Sequence, residues 1–206
     1  MMIDFDPLTV LEQDSARFLL KTAYDLKDDP KQALELAQQA LNADISLSGQ
    51  ALFLIGQTHY QHARFSEALT ALESACTYLE QENNLSLASE ALLSIGRIKR
   101  DQGHFEIAAE FFSQSLEIAE KSHTVSLQVN AMNLLASVYD AQGQTGTALK
   151  YLKESLILAE QSLHIEQQAI ILNNMGSLYH SLGYEFCLDE QHTDYLVGHV
   201  ILKAKS

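Results

Sequence analysis

The chain has no tryptophan, two cysteines, two prolines and few basic residues, 13 lysines and arginines against 27 acidic residues. Each shortage excludes something. Cys76 and Cys187 are too few for a disulfide framework and sit in unlike contexts, so Cys76 reads as a small buried residue and Cys187 as an incidental thiol. Both prolines, Pro7 and Pro30, fall early, so nothing from position 31 onward breaks a helix as proline does. A formal net charge of −14 argues against nucleic acid as a partner, because phosphate binding needs a basic face. No apolar run approaches the ~20 residues of a membrane span. The start, Met-Met-Ile-Asp-Phe-Asp, lacks the basic and apolar segments of a secretion signal, so a cytoplasmic protein is expected. What remains is a chain that is 47% hydrophobic, enough for a continuous core.

The hydrophobic residues recur. Ala91–His123 has near-copies 40 residues before and after it, at Ala51–Asn83 and Ala131–Leu163, and a further copy opens at Ile171. Ile55-Gly56, Ile95-Gly96, Leu135-Ala136 and Met175-Gly176 share one slot, and Ala68, Ala108 and Ala148 share another. A fixed period in this range is the mark of stacked repeats, each too small to bury its own apolar face. Every copy divides at a turn, with Gly103, Gly143 and Gly183 in one slot, where glycine tolerates the positive φ that ends a helix. Ser66, Ser86 and Ser126 are expected to cap the helices that follow. Short connections near Asn83–Leu85 and Ser122–Val125 make neighbouring helices antiparallel. Mid-helix glycine costs ~1 kcal/mol against alanine, so its recurrence at 56, 96 and 176 implies a close backbone approach there. Leu52, Ile55, Leu92, Ile95, Leu135 and Leu172 fill the space around it. An earlier pair, capped at Asp14-Ser15 with a first helix over about 16–26 (Phe18, Leu19 and Ala23 apolar) and a second over 31–43, matches the copies at an offset of 35.

These residues resemble the tetratricopeptide repeat, whose pattern is L-G-x2-Y followed by A-x3-F. The first half reads Ile55-Gly56-x2-His59, Ile95-Gly96-x2-Lys99, Leu135-Ala136-x2-Tyr139 and Met175-Gly176-x2-Tyr179; the second reads Ala68-x3-Leu72, Ala108-x3-Phe112 and Ala148-x3-Leu152. The tryptophan is absent, and Glu80, Glu120 and Glu160 stand where the pattern closes on proline, which lengthens the second helix and accounts for the period of 40. That longer form is similar to the repeats of Pins-type polarity adaptors, kinesin light chains, Rap-type bacterial regulators and the sensory halves of bacterial signalling proteins. The resemblance covers about residues 15–183. It implies an all-α fold, a right-handed superhelical solenoid of antiparallel helix pairs with about four and a half repeats, preceded by a lead-in over 1–14 and followed by an atypical tail over 184–206.

The resemblance also implies a scaffold, bacterial in flavour, that binds a protein or an extended peptide on the concave face lined by the first helix of each repeat. The alternative is a sensory or regulatory module whose output domain, such as a diguanylate cyclase, is missing. Helical period places Phe53, Gln57 and Tyr60 on that face, then Glu90, Leu93, Arg97 and Arg100, then Asn130, Asn133, Ser137 and Asp140, then Asn173, Ser177 and His180. Arg97 and Arg100, beside Lys99, form the one basic cluster of an acidic chain, suited to a partner with acidic groups. Arginine holds a carboxylate with two parallel bonds, and asparagines 133 and 173 match a main-chain amide. Alternatively Arg97 or Arg100 pairs with Asp101 or Glu106 of its own repeat.

Catalysis, metal and cofactors find no support in the sequence. His59 and His62, and His192, Asp194 and His199, lack the companions of a credible metal set. No nucleophile arrangement or phosphate-cradling loop appears, so the chain is expected not to be an enzyme. The tail departs from the repeat, and Tyr195–Leu202 is apolar and β-branched. It reads as a makeshift cap, a contact for a homodimer, or a truncation scar.

Overall fold

In a computed structural model of the 206-residue chain, the described residues are 7–26, 29–182, 184–187 and 201–204, with side chains over 15–26 and 29–182. Helices follow one another as α1 (Pro7–Asp25), α2 (Pro30–Ala43), α3 (Ser48–Gln61), α4 (Phe65–Gln81), α5 (Leu85–Asp101), α6 (Phe105–Lys121), α7 (Val125–Ala141), α8 (Thr145–Gln161) and α9 (Ile165–Ser181). A 3-10 turn over Ile45–Leu47 joins α2 to α3. Helix α1 begins at Pro7, earlier than the expected cap at Asp14-Ser15, because proline's fixed φ and missing N–H suit a first helical position. None of the described helices is long and apolar enough to cross a membrane.

Contacts divide the chain into two compact units, 1–127 and 128–206. In the first, consecutive helices from α1 to α6 pack on each other, and α3 also touches α5. Its central core comes from α4 and α5, with Ala68, Leu72, Ala75, Leu79, Ala88, Ala91, Ile95 and Ile98 all 0–1% exposed. Full burial of side chains such as these leucines and isoleucines stabilises by about 1.5–3 kcal/mol each. Of the expected apolar positions of α1, Ala23 is buried while Phe18 is 69% exposed, and Ala16 is buried in addition.

The two halves of the repeat pattern meet in space. A Cβ built on Gly56 falls 2.6 Å from Leu72 Cγ, and one built on Gly96 lands on the Phe112 ring. The approach expected from a neighbouring backbone is therefore made mainly by a side chain: glycine in the first helix of a pair receives the large residue of the second. In the second unit the same two slots hold Ala136 and Leu152, both buried.

The turns share one mechanism. From α3 onward they occupy 62–64, 82–84, 102–104, 122–124, 142–144 and 162–164, each 20 residues after the last. The Arg64 N–H donates to the His59 carbonyl and the Ala63 N–H to the Tyr60 carbonyl, both at 2.9 Å. These two bonds form a Schellman motif, which satisfies carbonyls at the end of the helix. The same pair of bonds recurs at Asn84, His104, Thr124, Gln144 and His164 with their preceding residues. The residue between takes a positive φ at Ala63, Asn83, Gly103, His123, Gly143 and Leu163. The serine caps expected at Ser66 and Ser86 are not used. Helix α5 is capped by Asn84, whose side chain accepts from the Leu87 N–H, and Ser66 and Ser86 lie inside α4 and α5.

In the second unit α8 packs on α9, and Tyr139 and Tyr151 stack across α7 and α8 with centroids 5.6 Å apart. Past α9 the chain leaves the helical repeat. Strands β1 (Tyr184–Cys187) and β2 (Ile201–Ala204) pair antiparallel, Tyr184 opposite Ala204 and Cys187 opposite Ile201, and β1 touches α9. The expected turn glycine Gly183, the histidines at 192 and 199 and most of Tyr195–Leu202 lie outside the described residues.

Candidate functional site

A groove of about 750 Å³ opens on the first unit between α1, α3 and α5. Helix α1 contributes Arg17, Leu20, Lys21, Ala23 and Tyr24; α3 contributes Gln50, Phe53, Leu54, Gln57, Thr58 and Gln61; α5 contributes Leu87 and Glu90. On α1 and α3 the spacing is near i, i+3, i+4, i+7, so each helix presents one stripe. The stripe on α5 continues through Ser94 to Arg97, beyond the groove.

Phe53, Gln57 and Glu90 are the expected residues that line this groove. Gln57 Nε2 donates to Ser94 Oγ at 2.8 Å, and Ser94 Oγ donates to the Glu90 carbonyl at 2.9 Å. Phe53 and Tyr60 are half-buried against the α4–α5 core rather than freely exposed. The Tyr60 hydroxyl donates to Asp101 Oδ2 at 2.9 Å. Burial, then the bond to Asp101 and its charge, raises the Tyr60 pKa.

Leu93 is a correction. It was expected on the exposed face and is 3% exposed, because α5 is covered by α4 and α6 and also meets α3. Arg100 is a second one: its Nε and Nη2 both donate to Asp101 Oδ1, at 3.2 and 3.0 Å, so the fork expected to hold a ligand is engaged within the chain. Asp101 thus accepts from Tyr60 on α3 and from Arg100 on its own helix.

Arg97 differs. It is half-buried and forms no ion pair with any described residue. Burial holds its guanidinium below the ordinary value, while the neighbouring Tyr60 acts to raise it. Burial likewise pushes the Glu90 carboxyl up, and Arg97 draws it back. Two helical turns separate the two residues, ~10 Å along the axis.

In the second unit Asn130 Oδ1 accepts from Gln167 Nε2 at 3.0 Å, and Asn133 Oδ1 accepts from Asn174 Nδ2 at 2.8 Å. These bonds span 37 and 41 residues, the same separations as Gln57–Ser94 and Tyr60–Asp101. Polar residues expected to await a ligand therefore staple the first helix of one repeat to that of the next. Asp140, Asn173, Ser177 and His180 are exposed, and Ser137 Oγ donates to the Leu134 carbonyl. The α1 wall was missed from sequence, although Arg17, Leu20, Lys21 and Tyr24 carry the helical period; the first repeat's different offset hid their counterparts.

Family and structural comparisons bear on the fold. Two family models described as Tetratricopeptide repeat match residues 21–82 and 87–161, together well over half of the chain. No curated protein matches by sequence. Among solved structures, the apo form of RapI is 20% identical with a TM-score of 0.69 over 78% of this chain and 61% of that one. Aspartyl phosphate phosphatase F from Bacillus subtilis is 16% identical with a TM-score of 0.72 over 83% and 50%. A Rap protein complexed with Competence and Sporulation Factor is 21% identical with a TM-score of 0.69 over 83% and 53%. The chain thus spans between 50% and 61% of the length of these three proteins, and at such identities the likeness concerns the fold. The chain belongs to the tetratricopeptide repeat family.

Proposed function

We propose that this chain is a protein- or peptide-binding scaffold that holds an extended segment against the first helices of its repeats. The observation that carries the reading is the groove between α1, α3 and α5, about 750 Å³ and lined mainly by apolar side chains with polar ones among them. Binding sites of this size are typically mainly apolar, with a few placed polar groups that fix orientation. Gln57 retains its amide oxygen for a main-chain N–H, since its bond to Ser94 uses the nitrogen. Arg97, half-buried without an ion pair, sits one helical step beyond and gains most from a ligand carboxylate, because a desolvated charge is stabilised by a partner. The Rap protein solved with Competence and Sporulation Factor supports the class, since this fold there carries a bound factor.

The reading assigns binding rather than catalysis. Affinity capture from extract with the parent chain and a Gln57→Ala/Arg97→Ala variant tests it. A partner retained by the parent and lost by the folded variant is expected; equal retention contradicts the reading. The incomplete coverage of the Rap-type structures favours a second possibility, a regulatory module within a longer signalling protein. In that case binding shifts an effector's activity, read by adding the captured partner to the protein that carries the output.

A further inference from the structure

Resting on that reading, we propose that the groove takes an internal acidic segment bearing one bulky apolar side chain, with Arg17 and Lys21 holding the acidic residues. The charges of the groove run against those of the protein. Acidic residues outnumber basic ones 27 to 13 in the chain, yet the charged residues lining the groove among the described side chains are Arg17, Lys21 and Glu90. Arg17 and Lys21 are exposed, stand one turn apart on one face of α1, and form no ion pair with any described residue. Glu90 is on the opposite wall, so the described basic side chains of the groove lining both stand on α1.

Between the walls the floor is apolar. Ala23 and Ala33 are 2% and 3% exposed at its base, and small residues there leave room for a large guest side chain. Tyr24, 64% exposed, flanks the opening beside Lys21 and offers a ring face to that side chain. An apolar anchor supplies most of the affinity in such a site, and rim charges set preference and salt dependence. The preference rests on side-chain carboxylates, so a chain terminus is not needed.

Calorimetric titration of the full chain with N-acetylated, C-amidated hexapeptides tests this, using Asp-Glu-x-x-Asp-Glu with Leu-Phe, Ile-Tyr or Leu-Trp in the middle. The matched peptides are Lys-Arg-x-x-Lys-Arg and an acidic one with Ser-Ser at the centre. At low salt the acidic peptides are expected to bind at least ~10-fold tighter than either match, a margin that shrinks as salt screens the rim. An Arg17→Glu/Lys21→Glu variant, altered only at exposed positions and checked for an unchanged melting curve, is expected to reverse the charge preference. No acidic peptide binding tighter than ~1 mM, or a preference untouched by the reversal, overturns the proposal. So does sodium dodecanoate binding tighter than the acidic peptides and displacing them, which would assign the groove to a lipid-like anion. Failure here with capture still dependent on Gln57 and Arg97 leaves the scaffold reading standing; loss of both removes it as well.

Discussion

Gly96→Ala is the most informative single perturbation, because it presses one half of the repeat pattern against the other. The added methyl falls on Phe112, within 2.6 Å of Cδ1 and 3.1 Å of Cζ, and Phe112 is fully buried, so its ring has no solvent to turn into. Overpacking of this kind costs about 1–3 kcal/mol. Replacing a mid-helix glycine by alanine returns about 1 kcal/mol, so the single variant should be destabilised by up to about 2 kcal/mol. Phe112→Leu alone loses part of the ~3–5 kcal/mol that removing a buried phenylalanine side chain to alanine costs, about 1–2 kcal/mol. The double variant relieves the clash, keeps the helical gain and places in the first unit the pair that Ala136 and Leu152 form by sequence position in the second. It should therefore be nearly as stable as the parent, with a coupling of about 2 kcal/mol, well outside the ~0.5 kcal/mol within which independent sites add. Urea titrations followed by circular dichroism measure all four proteins, provided the m values agree, since repeat arrays can lose two-state behaviour. Additive effects, or a Gly96→Ala protein more stable than the parent by the full helical gain, would refute this account of the glycine.

Other consequences concern particular residues. Leu163 holds a φ of 58° and is 81% exposed, so Leu163→Gly should raise the melting midpoint, stabilising by about 0.5–1 kcal/mol as the left-handed penalty is removed; a lower midpoint would show that the side chain contributes there. Burial pushes the Cys76 thiol up to about 11, so in a Cys187→Ser background its alkylation at pH 8 should run about 100-fold slower than that of an unperturbed thiol near 8.5. A rate profile that levels off above about pH 9, rather than climbing on toward 11, would contradict its burial. His59 has its pKa lowered by burial, against a raising influence from Glu67 and with Arg64 and His62 lowering it further. The unfolded chain therefore takes up the proton first, and this contribution to stability, complete above about pH 6.5, is lost as pH falls below it through the lowered folded-state pKa. His59→Gln should lose less stability over that window than the parent; an equal loss places the effect elsewhere.

The repeat was legible in the sequence because its packing needs recur: Gly96 must face Phe112, and the period of the pattern follows from one helix pair stacking on the next. Gly103 and Gly143 announced their turns, since glycine favours positive φ. Ala63, His123 and Leu163 adopt the same conformation without any local signal, because the Schellman bonds and the packing of the flanking helices impose it. The candidate site was harder to read for a related reason. A helical stripe predicts which side chains leave the helix's own core, but not whether the next repeat receives them. Leu93 is covered by neighbouring helices, and Gln57, Tyr60, Asn130 and Asn133 bond residues 37 or 41 positions away. Arg100 turns to the adjacent Asp101, one of the pairings its own sequence neighbourhood offered. The α1 wall carried a readable stripe, yet with an offset of 35 from its counterparts it fell outside the frame that organised the rest.

The central claim is that partners are held against the first helices of the repeats. Photo-crosslinking from p-benzoylphenylalanine placed at Gln57, within the groove, and separately at Ile107, which is 42% exposed on α6 and outside the groove lining, tests it most directly. With the partner recovered by affinity capture, the account predicts a crosslink from position 57 and none from 107. A crosslink from 107 alone, or equal yields from both, would contradict it.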